Sequence, residues 1–98
     1  MTRTQTVVSL KENADQIRAF GVTSLYMFGS AARDEMASAS DVDLFVDYDP
    51  TGTFSFVELV RLKELLKRKL SRDVDVTTRD GLHPQLRADI ERASIKIF

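Results

Sequence analysis

Residues 24–47 read SLYMFGSAARDEMASASDVDLFVD, and the two ends of this stretch decide the fold. Ser24 to Phe28 is a short apolar run suited to a buried strand, and Gly29–Ser30 breaks it. Ser30 is a good N-cap for a short helix running from Ala31 to about Met36. Small residues from Ala37 to Ser40 then read as a loop. Asp41 to Asp47 alternates, which predicts a second strand with Val42, Leu44 and Val46 on one face. Side chains at i and i+2 of a strand share a face, so Asp41 and Asp43 point the same way. Burial of the opposite face pins that register and stops the aspartates from turning inward.

Upstream, Val7, Leu10, Ala14, Ile17 and Phe20 recur at three and four residues, which predicts one amphipathic helix ending at Gly21. Downstream, Tyr48 to Thr53 contains Pro50 and Gly52 and reads as a turn. The spacing of Leu59, Leu62, Leu66 and Leu70 predicts a helix over 55–70. Residues 73–78, DVDVTT, make a third strand rich in β-branched side chains. Asp80–Gly81 turns the chain, and His83–Pro84 leads into a last helix over about 84–92. His83 reads as a surface turn residue, and Ile95 to Phe98 as a short terminal strand. The alternating order of helices and strands predicts a sheet packed against helices. It leaves open whether the first two strands run parallel or antiparallel.

Composition limits the function. The 98 residues fit one domain, 1–98, with no room for a second. A hydrophobic fraction of 43% and a charged fraction of 30% are those of a soluble globular protein. No apolar run approaches the ~20 residues that span a bilayer, and the N-terminus lacks a signal-peptide core. The absence of cysteine excludes disulfides and thiolate zinc sites and suits a cytoplasmic protein. A net charge of −1 speaks against direct DNA binding, which relies on neutralising phosphates. The basic run Arg61, Lys63, Lys67, Arg68, Lys69 and Arg72 is interleaved with Glu58 and Glu64, and reads as the solvated face of a helix.

The chemistry lies in the carboxylates. Asp41 and Asp43 repel each other unless a cation sits between them, and Mg²⁺ prefers such oxygen ligands. Asp75, between Val74 and Val76, repeats the pattern on the next strand. If the strands are neighbours, Asp75 stands beside Asp43. Three carboxylates on one sheet face can hold two metal ions about 3.5–4 Å apart, the geometry of in-line nucleotidyl transfer. Asp73 and Asp80 are nearby alternatives to Asp75, and Asp73 sits at the strand entrance. Asp47 and Asp49 are expected to cap the end of the second strand or to face solvent. Gly29 lets the backbone approach a ligand closely, Ser30 can donate to a phosphate oxygen at a helix start, and Arg33 can add a charged contact.

The stretch from Leu25 through Gly29, Ser30, Asp41 and Asp43 to Val46 resembles the signature of the DNA polymerase β nucleotidyltransferase superfamily. Over residues 7–98 the chain looks like the minimal nucleotidyltransferases of bacteria and archaea, including the ending RDVDVTTRDGL at 72–82. The resemblance implies an α/β (α+β) palm: a mixed β-sheet with helices packed on one face. It implies Asp41, Asp43 and Asp75 as metal ligands and catalytic residues, with Gly29, Ser30 and Arg33 binding the nucleotide. It also implies Mg²⁺ as cofactor, ATP as substrate and a HEPN-domain toxin as partner. Some proteins of this kind act as antitoxins by transferring AMP to a tyrosine of the toxin. Asp34 departs from the family, which often has glycine there. The alternatives are a silent binding module that neutralises its partner by occlusion, and a small-molecule nucleotidyltransferase. A homo-oligomer is compatible with each.

Overall fold

Alternation in the segment after Asp41 builds the central strand. The computed structural model describes residues 2–32 and 41–98. Strand β2 spans Val42–Tyr48, with Val42, Leu44 and Val46 fully buried on one face. β1, Val22–Phe28, buries Leu25 and Met27, and β3, Val74–Thr78, buries Val74 and Val76. β4 is the short strand Ile95–Lys96. The four strands form one mixed sheet in the order β3-β2-β1-β4. β1 pairs antiparallel with β2 and β4, whereas β2 and β3 are parallel. The pairing sense left open by periodicity is therefore settled: β1 turns back through the segment containing Gly29, and β2 reaches β3 through a helical crossover.

α1 spans Arg3–Glu12, α2 Ala14–Arg18, α3 Gly29–Ala32, α4 Phe56–Leu70 and α5 Arg87–Ala93, and a 3₁₀ turn spans Arg79–Gly81. Three helices, α1, α2 and α4, cover the face that carries the aliphatic side chains. Leu10, Ile17, Leu62, Leu66 and Leu70 meet Leu25, Met27, Val42, Leu44, Val46, Val74, Val76 and Ile97 in one core. Leu59, expected on the same stripe, packs at its margin. α4 starts where the sequence predicts, because Ser55 and Glu58 form a reciprocal capping box. The outer side of α4 carries Arg61, Lys63, Glu64, Lys67, Arg68 and Lys69 in solvent.

Local chemistry changes the other boundaries. The helix expected to run unbroken to Gly21 is two helices, α1 and α2. Asn13 lies between them, and its side-chain amide donates to the Ser9 carbonyl at 2.7 Å. That bond offers the backbone an alternative to continuing the helix. Pro84 does not open the last helix. Residues 84–86 form a turn, and α5 begins at Arg87. α3 begins at Gly29, so Ser30 lies inside it and does not precede it as a cap. The remainder of the expected helix to Met36, and the loop from Ala37 to Ser40, lie outside the described residues.

Candidate active site

The face of the sheet opposite the core carries the candidate chemistry. Parity along β2 places Asp43, Phe45 and Asp47 there, and parity along β3 adds Asp75 and Thr77. The parallel register sets Asp43 directly opposite Asp75, with Val42 opposite Val74 and Leu44 opposite Val76. The expected juxtaposition of Asp43 and Asp75 is thus realised. Asp41 stands immediately before β2, exposed. Asp73 does not compete with Asp75: it precedes β3, is exposed, and pairs with Lys67 at 3.5 Å. Asp80, the other alternative, lies in the exposed 3₁₀ turn beyond the strand.

Electrostatics mark Asp43 among these carboxylates. Burial raises its pKa above the ordinary value of 3.8, and the negative charges of Asp75 and then Asp41 push it the same way. An anion is costly here unless a positive charge joins it. β1 supplies the second wall. Phe28 lies opposite Asp43 in the antiparallel register, and Gly29 follows it with φ +70°. A Cβ at Gly29 would stand 2.6 Å from Oδ2 of Asp43. Only glycine combines that backbone conformation with that approach. The Arg3 guanidinium donates to the carbonyl of Ala32 at 3.3 Å, which ties α1 to the end of α3. Arg33 and Asp34 lie outside the described residues.

The donor set suits a hard, oxygen-preferring cation. Among the described residues, no three His, Cys, Asp or Glu side chains converge into a cage that could hold an ion by themselves. Asp43 and Asp75 stand opposite each other across the β2–β3 pair, and Asp41, just before β2, adds its charge to Asp43. That is compatible with Mg²⁺, which keeps several waters and completes its shell with substrate phosphates.

Further along the same face, Asp47 does not cap the strand or face open solvent as expected. Arg79 Nε and Nη2 donate to the two Asp47 carboxylate oxygens at 2.8 and 2.9 Å, and Nη1 donates to Glu91 of α5. The guanidinium lies over the rings of Tyr26 and Phe45, 4.9 and 5.0 Å from their centroids. Tyr26 and Phe45 stack at 4.7 Å, and Phe45 is fully buried although it faces away from the aliphatic core. The Asp47 hydrogen bonds hold Arg79 above its already high pKa. Spacing gave no sign of Arg79: its carboxylate partners lie 32 and 12 residues away. Asp49 is exposed and accepts from the backbone and hydroxyl of Thr51 at 2.9 and 2.7 Å. His83 is exposed, and its Nδ1 accepts from the Gln85 backbone at 3.2 Å, as expected of a turn residue.

Comparison with known proteins agrees with this arrangement. Residues 9–97 match the family described as nucleotidyltransferase domain. A Methanocaldococcus jannaschii protein named as a candidate protein adenylyltransferase is 36% identical over 78 residues, covering 80% of this chain and 82% of its own. The solved structure of a candidate minimal nucleotidyltransferase superposes with a TM-score of 0.79 at 32% identity, over 97% of this chain and 95% of that one. The fold recurs at 17% identity in the complex of a tri-AMPylated Shewanella oneidensis HEPN toxin with an MNT antitoxin. That match has a TM-score of 0.67 over 95% of this chain and 71% of that one. With the paired carboxylates, the glycine at their side and these relatives in agreement, the chain belongs to the nucleotidyltransferase domain family, in its minimal form.

Proposed function

We propose that the protein is a Mg²⁺-dependent protein adenylyltransferase that moves AMP from ATP to a tyrosine hydroxyl of a HEPN-type partner toxin, and so acts as its antitoxin. The observation that carries this reading is the cross-strand pairing of Asp43 with Asp75 beside Gly29. The name of the Methanocaldococcus jannaschii relative supports a protein acceptor, and the HEPN complex supports the class of partner.

The proposed roles follow from position. Asp41, Asp43 and Asp75 hold two Mg²⁺ ions. When bound, these neutralise triphosphate charge and lower the pKa of the acceptor hydroxyl. The backbone at Gly29 and Ser30 approaches the phosphates without an intervening side chain at Gly29, and Arg33 adds a charged contact. Asp75, exposed at the end of the pair, faces the acceptor and takes the hydroxyl proton. The acceptor oxygen bonds to the α-phosphorus, the bond from that phosphorus to the β-bridging oxygen breaks, and pyrophosphate leaves. A net charge of −1 gives little overall attraction for the phosphates of a nucleic-acid acceptor. Among the described residues, no helix is long and apolar enough to cross a membrane.

Incubation with α-labelled ATP, Mg²⁺ and the product of the neighbouring gene, as the candidate partner, tests the proposal. Label should enter the partner on a tyrosine, and the double variant Asp41→Asn/Asp43→Asn should transfer none. An unlabelled partner, or equal transfer by the double variant, rejects the reading. If the double variant still neutralises the toxin, the protein acts by occlusion.

A further inference from the structure

The parallel β2–β3 pair has a register problem. The strands are joined through α4, so no tight turn sets their alignment as it would in a hairpin. A one-residue slip is forbidden because it would expose Val74 and Val76. A two-residue slip, a shift of about 6.6 Å, keeps every side chain on its own face. Burial alternation alone therefore permits Asp43 to face Asp73, Asp75 or Thr77. Two of these registers set carboxylates opposite each other, Asp43 with Asp73 or Asp43 with Asp75, so repulsion across the seam does not select between them.

Arg79 breaks the degeneracy. In the observed register it leaves the end of β3 level with Asp47, forks onto both carboxylate oxygens, and covers Phe45 and Tyr26 while reaching Glu91. If Asp43 faced Asp73, Arg79 would come level with Asp49, beyond the end of β2 and already bonded to Thr51. If Asp43 faced Thr77, Arg79 would come level with Phe45, which offers no carboxylate. One guanidinium thus spans β3, β2, β1 and α5 in a single alignment. A lysine could form one ion pair but neither the fork nor the flat cover of two rings.

We propose that Arg79 is a positioning residue that locks β3 in the register placing Asp75 opposite Asp43, and so assembles the divalent-cation site. The contact runs inward from the guanidinium to Phe45, from Phe45 to Phe28 at 5.8 Å, and from Phe28 to Asp43 across the β1–β2 pair. This inference rests on the proposed catalytic reading only for the consequence in turnover. Register and cation binding are measured independently of it.

The test uses the full chain, Arg79→Lys and Arg79→Met, with Asp47→Asn as a milder variant if either fails to fold. Cross-strand NMR contacts report the register, water-proton relaxation with Mn²⁺ alone reports cation affinity, and AMP transfer reports turnover. The expected result is a folded Arg79→Met in which the contacts of residues 43–46 with 75–78 are broadened or doubled. Mn²⁺ binding should weaken by about tenfold or more, the size of effect seen when groups supporting metal ligands are removed. Arg79→Lys and Asp47→Asn should fall between this variant and the wild type. Folded variants with unchanged cross-strand contacts and unchanged Mn²⁺ affinity would overturn the inference, whatever their melting temperature. If the wild type transfers no AMP yet the register and Mn²⁺ results hold, the catalytic reading fails and the positioning role stands.

Discussion

Asp43 is where folding and function oppose each other. Its pKa is raised by burial, then by Asp75, then by Asp41, so ionising it costs the folded state more than the unfolded chain. The penalty is fully present above the raised folded value and vanishes below the ordinary value of 3.8. Asp43→Asn should therefore raise the melting temperature of the metal-free protein at pH 7, and the gain should shrink as pH falls toward 3.8 and below. The same variant should lose more than about a hundredfold in transfer. Thermal melts from pH 3 to pH 8 on both proteins decide it; a gain constant across that range would contradict the assignment. Gly29→Ala tests the neighbouring wall. It meets both the φ of +70° and the 2.6 Å approach to Asp43 Oδ2. It should cost about 1–2 kcal/mol from the backbone alone and lower transfer more than stability, because the displaced atom belongs to Asp43. At this scale the sequence was legible where spacing carries meaning: Asp43 and Asp75 sit in alternating runs whose period is two. Arg79 was not, because an isolated arginine just past a strand has no periodic partner and its carboxylates come from other elements.

Among the elements, α4 shows a boundary written in local chemistry. Ser55 and Glu58 satisfy each other's backbone amides three residues apart, so start and cap can be read directly from the chain. Ser55→Ala should cost about 1 kcal/mol, a fall of roughly 4–8 °C in a domain this small. Transfer at 25 °C should be unchanged, since α4 lies against the opposite face of the sheet. Circular-dichroism melts beside an activity assay check this, and loss of activity without loss of stability would show that the helix also acts on the site. The break at Asn13 and the late start of α5 at Arg87 were hidden for the converse reason. The apolar spacing from Val7 to Phe20 continues across the break. Pro84 is acceptable in a first helical turn but does not compel one. The pairing sense of β1 with β2 was equally hidden, because it depends on the direction of the intervening segment and not on either strand's pattern.

In the whole molecule, one sheet divides two chemistries. Its aliphatic face holds the core with α1, α2 and α4, and its other face keeps Asp43 and Asp75 against each other. A chain of 98 residues has little stability to spare, so a repelling acidic pair is a measurable fraction of the total. A divalent cation that binds only the folded state must then stabilise the entire domain, by about 2.7 kcal/mol at one hundred times its dissociation constant. In a domain of this size that corresponds to a rise of at least about 10 °C. Mg²⁺ added to the metal-free protein at pH 7 should raise the melting temperature by this order, and EDTA should reverse it. Asp43→Asn should start higher and respond weakly, because its relief is already built in and a ligand is gone. Na⁺ at matched ionic strength separates specific binding from screening, which acts on exposed charges without a defined site. If Na⁺ produces the same rise as Mg²⁺, or if Asp43→Asn responds as the wild type does, the acidic pair is not a divalent-cation site and the raised pKa of Asp43 is a structural cost alone.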